Sequence, residues 1–211
     1  MSLSKPSKEH DPSHWGELIK LRWPLNAPPW IYFYTYGETY EYITRWADGR
    51  RLKSLLEVGT GTCLAPICTK LMHPWKRVVA CDVVREVVEF ARKRCEYWNV
   101  DIEVYVADAR DLPFRDKEFD SCLSEGMLEH WLETDRIQML REMSRVAKRL
   151  VIDLPVAERH PGCPMGYGDE DLRPPEYWRG LFKRCGLRLV EEYTRQRRRD
   201  KVPVRVGWIL E

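Results

Sequence analysis

Leu55-Leu56-Glu57-Val58-Gly59-Thr60-Gly61-Thr62-Cys63 is a short apolar run that breaks at two glycines one residue apart and then gives way to a helical pattern. Such a run reads as a buried strand, and a helix following it so closely requires a tight turn. One glycine of that turn takes backbone angles barred to other residues, and the other lets the main chain approach a ligand. Thr62 is expected to cap the next helix, whose first N–H groups are suited to face an anion. Taken alone, a Gly-x-Gly pair also serves as an ordinary turn, so its surroundings must decide.

Downstream, short apolar runs alternate with amphipathic stretches. Strands are expected at 54–58, 77–81, 102–106, 119–123, 149–154, 187–194 and 202–210, with helices at 62–72, 84–98, 134–147 and 174–185. That alternation predicts an α/β fold: a seven-stranded, mostly parallel sheet with right-handed crossovers and helices on both faces. Only a short turn joins the last two runs, so the seventh strand must be antiparallel.

Upstream lies a polar start, then an aromatic stretch including Trp30-Ile31-Tyr32-Phe33-Tyr34-Thr35-Tyr36, then a helix expected at 38–46. Residues 1–50 are read as a tail and a small helical, aromatic cap, and residues 51–211 as the main domain. Tyr34, Tyr36 and Tyr40 either wall an acceptor site or pack the cap onto the sheet. The chain has 211 residues and a net charge of +2, so charge gives no general reason to expect nucleic acid or membrane partners. No apolar run approaches the ~20 residues of a membrane helix. Seven cysteines without a CxxC pair suggest neither disulfide framework nor metal site, and a reducing cytoplasm is the expected location. Cys63 and Cys68 are read as small packing residues.

Two acids give the glycine turn its context. Asp82 ends the second strand about twenty residues past the glycines, where a carboxylate can hold both hydroxyls of a ribose. Asp108, in Val106-Ala107-Asp108-Ala109, follows the third strand on the same carboxyl edge. The third glycine of a dinucleotide fingerprint is missing, with Cys63 and Leu64 in its place, and no Tyr-x-x-x-Lys pair occurs. Leu112-Pro113-Phe114 and the run Phe119-Asp120-Ser121-Cys122-Leu123-Ser124-Glu125-Gly126-Met127-Leu128-Glu129-His130 are not dehydrogenase signatures.

In these motifs the chain resembles the class I S-adenosylmethionine-dependent methyltransferases, which have a Rossmann-like sheet and share a glycine-rich first motif, Ala-Asp-Ala with Leu-Pro-Phe, and a Phe-Asp strand before Leu-Glu-His. The resemblance runs from about Leu55 to His130 and continues more weakly to Leu187. It implies S-adenosylmethionine as cofactor. Glu57, Gly59, Thr60 and Gly61 would shape the methionine end, and Asp82 with Val83 the ribose end. Asp108 would accept from the adenine amino group and the Ala109 N–H would meet a ring nitrogen, while Ser124 and Glu125 would lie beneath the sulfonium. Cys63 and Ala147-Lys148-Arg149 depart from the family pattern.

Methyl transfer from a sulfonium asks the protein chiefly to align the partners and exclude water. Where the acceptor carries a proton, His130, Glu129 and Asp153 are the candidates to take it. His130 also reads as a structural residue of its loop. The acceptor is read as a small molecule because no RNA-binding module is appended. RNA, attracted by Arg195-Gln196-Arg197-Arg198-Arg199-Asp200-Lys201, is the alternative for a methyltransferase, a methylated protein is another, and a non-catalytic nucleotide binder is the third. The same basic run also reads as a solvated turn.

Overall fold

The computed structural model describes residues 24–31, 53–73, 75–156, 170–196 and 203–211. Seven strands form one sheet: β1 (Ser54–Val58), β2 (Arg77–Asp82), β3 (Glu103–Val106), β4 (Ser121–Glu125), β5 (Leu150–Pro155), β6 (Leu189–Gln196) and β7 (Pro203–Leu210). Their order is β3-β2-β1-β4-β5-β7-β6. The first five strands pair in parallel, and β7 runs antiparallel to both β5 and β6. Helices α1 (Leu64–Met72), α2 (Arg85–Tyr97), α3 (Glu133–Val146) and α4 (Pro175–Arg184) make the connections.

Period-two alternation in β1 decides which helix lies on which face. Leu56 and Val58 join a core with Met139, Leu140 and Met143 of α3 and Trp178, Leu181 and Phe182 of α4. Leu55 points the other way, into a cluster with Leu64, Ala65 and Cys68 of α1, while Ala80 meets Val88 and Ala91 of α2. Helices therefore cover both faces, as the alternation of runs predicts. In α3 the buried positions 136, 139, 140, 143 and 146 form one stripe at helical spacing. Between β6 and β7, Gly207 sits opposite Tyr193, and a Cβ there would stand 1.9 Å from the tyrosine ring. Glycine at that position lets the ring lie across the ladder.

Three expectations are corrected. The fourth strand begins at Ser121 instead of position 119: Phe119 makes an isolated bridge to Ala147, and the Asp120 carboxylate accepts from the N–H groups of Lys53 and Ser54. Thr62 does not cap α1. The residue before that helix is Cys63, at φ 59°, with no side-chain cap, and the Thr62 carbonyl instead accepts from the Arg94 guanidinium at 2.6 Å. Cys63 accordingly lies outside α1, although it and Cys68 are both buried packing residues as expected. The helix expected at 38–46, the tyrosines at 34, 36 and 40, and residues 197–201 of the basic run lie outside the described residues. Of the upstream segment, Pro24 and Leu25 offer their carbonyls to Arg94, and Trp30 meets Trp98 edge to face.

Candidate cofactor and acceptor site

Parallel pairing brings the carboxyl ends of β1 to β5 to one edge, the place where open α/β sheets bind ligands. The glycine turn is tied to that edge by its own backbone. Gly59 and Thr60 both donate to the Cys81 carbonyl, at 2.9 and 3.0 Å. Gly59 has φ +75°, and a Cβ there would meet Met127 Sδ at 2.7 Å. Gly61 donates its N–H to Asp82 Oδ2 at 3.1 Å, and Val84 donates to Oδ1 at 3.1 Å. Each carboxylate oxygen keeps a lone pair for a further donor. Asp82 thus sits against the turn, and burial raises its pKa despite these N–H donors. Val83 packs half-buried beside it against the core.

Glu57 is buried at the end of β1 and accepts from the Thr60 hydroxyl. Burial drives its pKa well above the usual carboxylate range, and the nearby charges of Glu125 and Asp82 add to the rise. At the end of β4, Ser124 is fully buried and its hydroxyl has no hydrogen-bond partner. A buried polar atom without a partner is costly, so an unsatisfied hydroxyl at this edge is consistent with a ligand group.

Asp108 reaches the same edge through β3, because Ala107 donates its N–H to the Asp82 carbonyl at 3.0 Å. Its carboxylate is gripped by the Arg110 guanidinium at 2.8 to 3.2 Å and by the Arg110 N–H at 2.8 Å. That guanidinium holds Asp108 below its ordinary pKa. Arg110 also reaches Asp135 at 3.1 Å and lies over the Trp131 ring at 5.1 Å. Ala109 is buried in the core beside these groups.

The candidate bases surround Gly126, whose N–H donates to the Asp153 carbonyl at 2.9 Å. Asp153 is fully buried, and its carboxylate is paired with the Arg205 guanidinium. In the β5–β7 ladder Asp153 faces Gly207 and Pro155 faces Arg205, so acid and base are diagonal neighbours. A Cβ on Gly126 would stand 3.5 Å from both Arg205 Nη2 and Glu129 Oε1. Glu129 is buried, its Oε2 has no partner, and burial raises its pKa. His130 Nε2 is 4.0 Å from Glu129 Oε1. Arg136, fully buried, fixes this turn by donating to the carbonyls of Leu128 and Glu129 and pairing with Asp171.

The structure therefore brings Glu57, Gly59, Thr60, Gly61 and Asp82 into one bonded group. Asp108 joins through the neighbouring strand, and Glu129, His130 and Asp153 gather about Gly126. Sequence reading missed Met127, Arg110, Arg136 and Arg205. Only Arg205 carried a usable signal, since an arginine two residues before the strand partner of a buried acid is a diagonal pair. Among the described residues no group of three or more His, Cys, Asp or Glu side chains is placed to hold a metal ion.

The sheet, with its reversed seventh strand, has the fold of solved methyltransferase structures. Residues 56–150 match a family described as Methyltransferase domain. Solved structures with the same fold include an S-adenosylmethionine-dependent methyltransferase from Aquifex aeolicus, 19% identical, covering 96% of this chain and 98% of that one at a TM-score of 0.68. The PH0226 protein of Pyrococcus horikoshii, 14% identical, covers 94% and 98% at a TM-score of 0.71. Among curated proteins, a malonyl-[acyl-carrier protein] O-methyltransferase of Xylella fastidiosa is 38% identical over 79 residues, 37% of this chain. A probable tRNA methyltransferase 9B of Bos taurus is 39% identical over 93 residues, 44% of this chain. These matched stretches span only 26% and 18% of the two relatives' lengths.

Proposed function

We propose that this chain binds S-adenosylmethionine along the carboxyl edge of β1 to β4 and transfers its methyl group to an acceptor beside Gly126. The observation that carries this reading is the hydrogen bond from the Gly61 N–H to the Asp82 carboxylate, which makes the turn and the acid one binding surface. When bound, the cofactor supplies an already activated methyl group. Gly59 and Gly61 leave room for its methionine end, with Glu57 and Thr60 behind them. Asp82 accepts from the ribose hydroxyls and Val83 lies alongside. Asp108 accepts from the adenine amino group, the Ala109 N–H meets a ring nitrogen, and Ser124 and Glu125 line the floor near the sulfonium. The partnerless Ser124 hydroxyl fits such an occupant.

On the acceptor side the residues divide by their bonds. Asp153 is held by Arg205 and acts as an anchor, His130 flanks Glu129, and Glu129 presents a partnerless oxygen with a raised pKa. Glu129 is therefore our choice to receive a proton from the acceptor, since a base is most effective with a pKa near working pH. We read the acceptor as a small molecule. RNA is the second reading: one curated relative is a probable tRNA methyltransferase, and one solved neighbour is a Haloferax volcanii methyltransferase in complex with the Trm112 activator. No described helix is long and apolar enough to cross a membrane, and a cytoplasmic location is proposed on the free thiols.

The test combines binding titrations with S-adenosylmethionine and NAD with a labelled-methyl assay on fractionated cell extract. Saturable binding of the first alone, with label entering one fraction, supports the proposal, and ribonuclease sensitivity of that fraction decides for RNA. Glu129→Gln should keep cofactor binding while transfer falls by about 10²-fold or more. Binding of NAD in preference to S-adenosylmethionine would overturn the reading.

A further inference from the structure

We propose that Cys63 and Cys95 form a reversible disulfide on exposure to a hydroperoxide, and that this bond shuts the cofactor site by drawing the glycine turn toward α2. Their sulfurs already lie 3.8 Å apart, 32 residues distant in sequence. Closing to a bond length of about 2.05 Å requires a shift of the sort that side-chain rotation and slight backbone movement supply. The same two segments are bonded one residue before each cysteine, where the Arg94 guanidinium donates to the Thr62 carbonyl at 2.6 Å. The two thiols are therefore held at the point where α2 already grips the loop.

Cys63 is poised to transmit the change. It is the first residue past the turn, held at φ 59° in the left-handed region, and its N–H donates to the Thr60 carbonyl at 2.9 Å. A side chain other than glycine in that region is strained, so movement at Cys63 passes directly to Thr60 and Gly61. Gly61 in turn holds Asp82. Pulling Cys63 toward α2 thus moves the N–H that orients the ribose carboxylate.

The chemistry divides between the thiols. Cys95 is the attacking group: it shares a hydrogen bond with the Cys63 thiol and the Arg94 charge lies nearby, and both lower its pKa. It also keeps 5% exposure where Cys63 has none. The Cys95 thiolate attacks one peroxide oxygen, the O–O bond breaks, and the leaving alkoxide takes up the proton that Cys95 released. The Cys63 sulfur then displaces hydroxide from the sulfenic acid, the thiol proton completes a water molecule, and the S–S bond forms. Two thiols lose two electrons, and the hydroperoxide becomes an alcohol and water, or two waters from hydrogen peroxide.

Disulfide formation stands on the thiol geometry alone, whereas its effect on the cofactor rests on the function proposed above. The experiment treats the reduced full chain with hydrogen peroxide, maps peptides without reduction, and titrates S-adenosylmethionine before oxidation, after it, and after dithiothreitol. The expected result is a peptide pair linked through Cys63 and Cys95, with cofactor affinity at least tenfold weaker and restored by dithiothreitol. Cys95→Ser and Cys95→Ala should bind the cofactor and lose the peroxide response, while Cys68→Ser keeps it. Oxidation that leaves Cys63 and Cys95 unlinked, or carries Cys95 to a sulfinic acid, overturns the disulfide. A linked protein with unchanged affinity overturns the regulation, and reduced protein that does not bind the cofactor overturns the function on which that regulation rests.

Discussion

Replacing Gly59 with alanine tests the cofactor turn by adding one methyl group. The backbone there is at φ +75°, and holding a residue with a Cβ in the left-handed region costs about 1–2 kcal/mol. The new carbon would also stand 2.7 Å from Met127 Sδ and 2.9 Å from its Cγ, well inside the roughly 3.5–4.0 Å of a relaxed contact. Overpacking of this kind costs about 1–3 kcal/mol, although the flexible methionine can swing aside and reduce it. Together these terms give about 2–5 kcal/mol, or a fall in Tm of roughly 5–15 °C for a chain of this size. Because the methyl group and the displaced Met127 both enter the proposed site, S-adenosylmethionine affinity should fall tenfold or more by calorimetric titration. Adding Met127→Ala removes the two closest contacts and leaves the backbone cost. The double variant should therefore recover about half of the lost stability, giving a coupling of about 1–2 kcal/mol in a double-mutant cycle. Gly59→Ala with native Tm and native affinity, or a double variant no better than the single one, would refute the reasoning.

Asp82→Ala removes a carboxylate that orders Gly61 and Val84 as well as the proposed ribose contact, and affinity for S-adenosylmethionine should drop by one to two powers of ten in the same titration. Arg110 holds Asp108 below its ordinary pKa, so the native pair stays ionised, and adds stability, until pH falls through that lowered value. In Arg110→Ala the acid should titrate higher than in the parent, and cofactor affinity measured against pH should start to fall at a higher pH. Arg136→Met strips two carbonyls and Asp171 of a fully buried cation, and should cost about 3–5 kcal/mol by denaturant unfolding. Glu57 and Asp82 have raised pKa values and become anionic only as pH rises, so the preference for the cationic cofactor over its neutral thioether product should widen with pH in paired titrations.

Most of the sheet was legible because its central strands β1, β2, β4 and β5 are buried and its helices carry one apolar stripe. The element order, the antiparallel seventh strand and the positions of Gly59, Asp82 and Asp108 on one edge followed from periodicity and turn chemistry. Boundaries failed where a local rule met a distant partner. Phe119 continues an apolar run, yet Asp120 turns back to the amino end of β1, so the paired strand starts at Ser121. Thr62 satisfies every local rule for a cap, but its carbonyl is claimed by Arg94 from α2. The Asp153–Arg205 pair spans 52 residues and the Cys63–Cys95 contact spans 32. No window of periodicity contains either contact.

Placing so many acids at one edge has a thermodynamic consequence that explains the turn's construction. Glu57 is buried and raised in pKa, and Glu125 and Asp82 press on it from nearby. A group whose native pKa is raised contributes stability at low pH and loses it as pH rises through that value, so burial of this acid costs the fold stability as pH rises. The Thr60 hydroxyl offsets part of that cost at Glu57, and the Gly61 and Val84 N–H groups offset part of the cost of burying Asp82. A ligand bringing positive charge to the edge offsets the remainder by opposite-charge attraction in a medium of low dielectric. A neutral or anionic ligand gains nothing there. The cofactor proposed above carries such charge at its sulfonium and its amine, and Asp108, which Arg110 holds below its ordinary pKa, is the proposed acceptor at the adenine end.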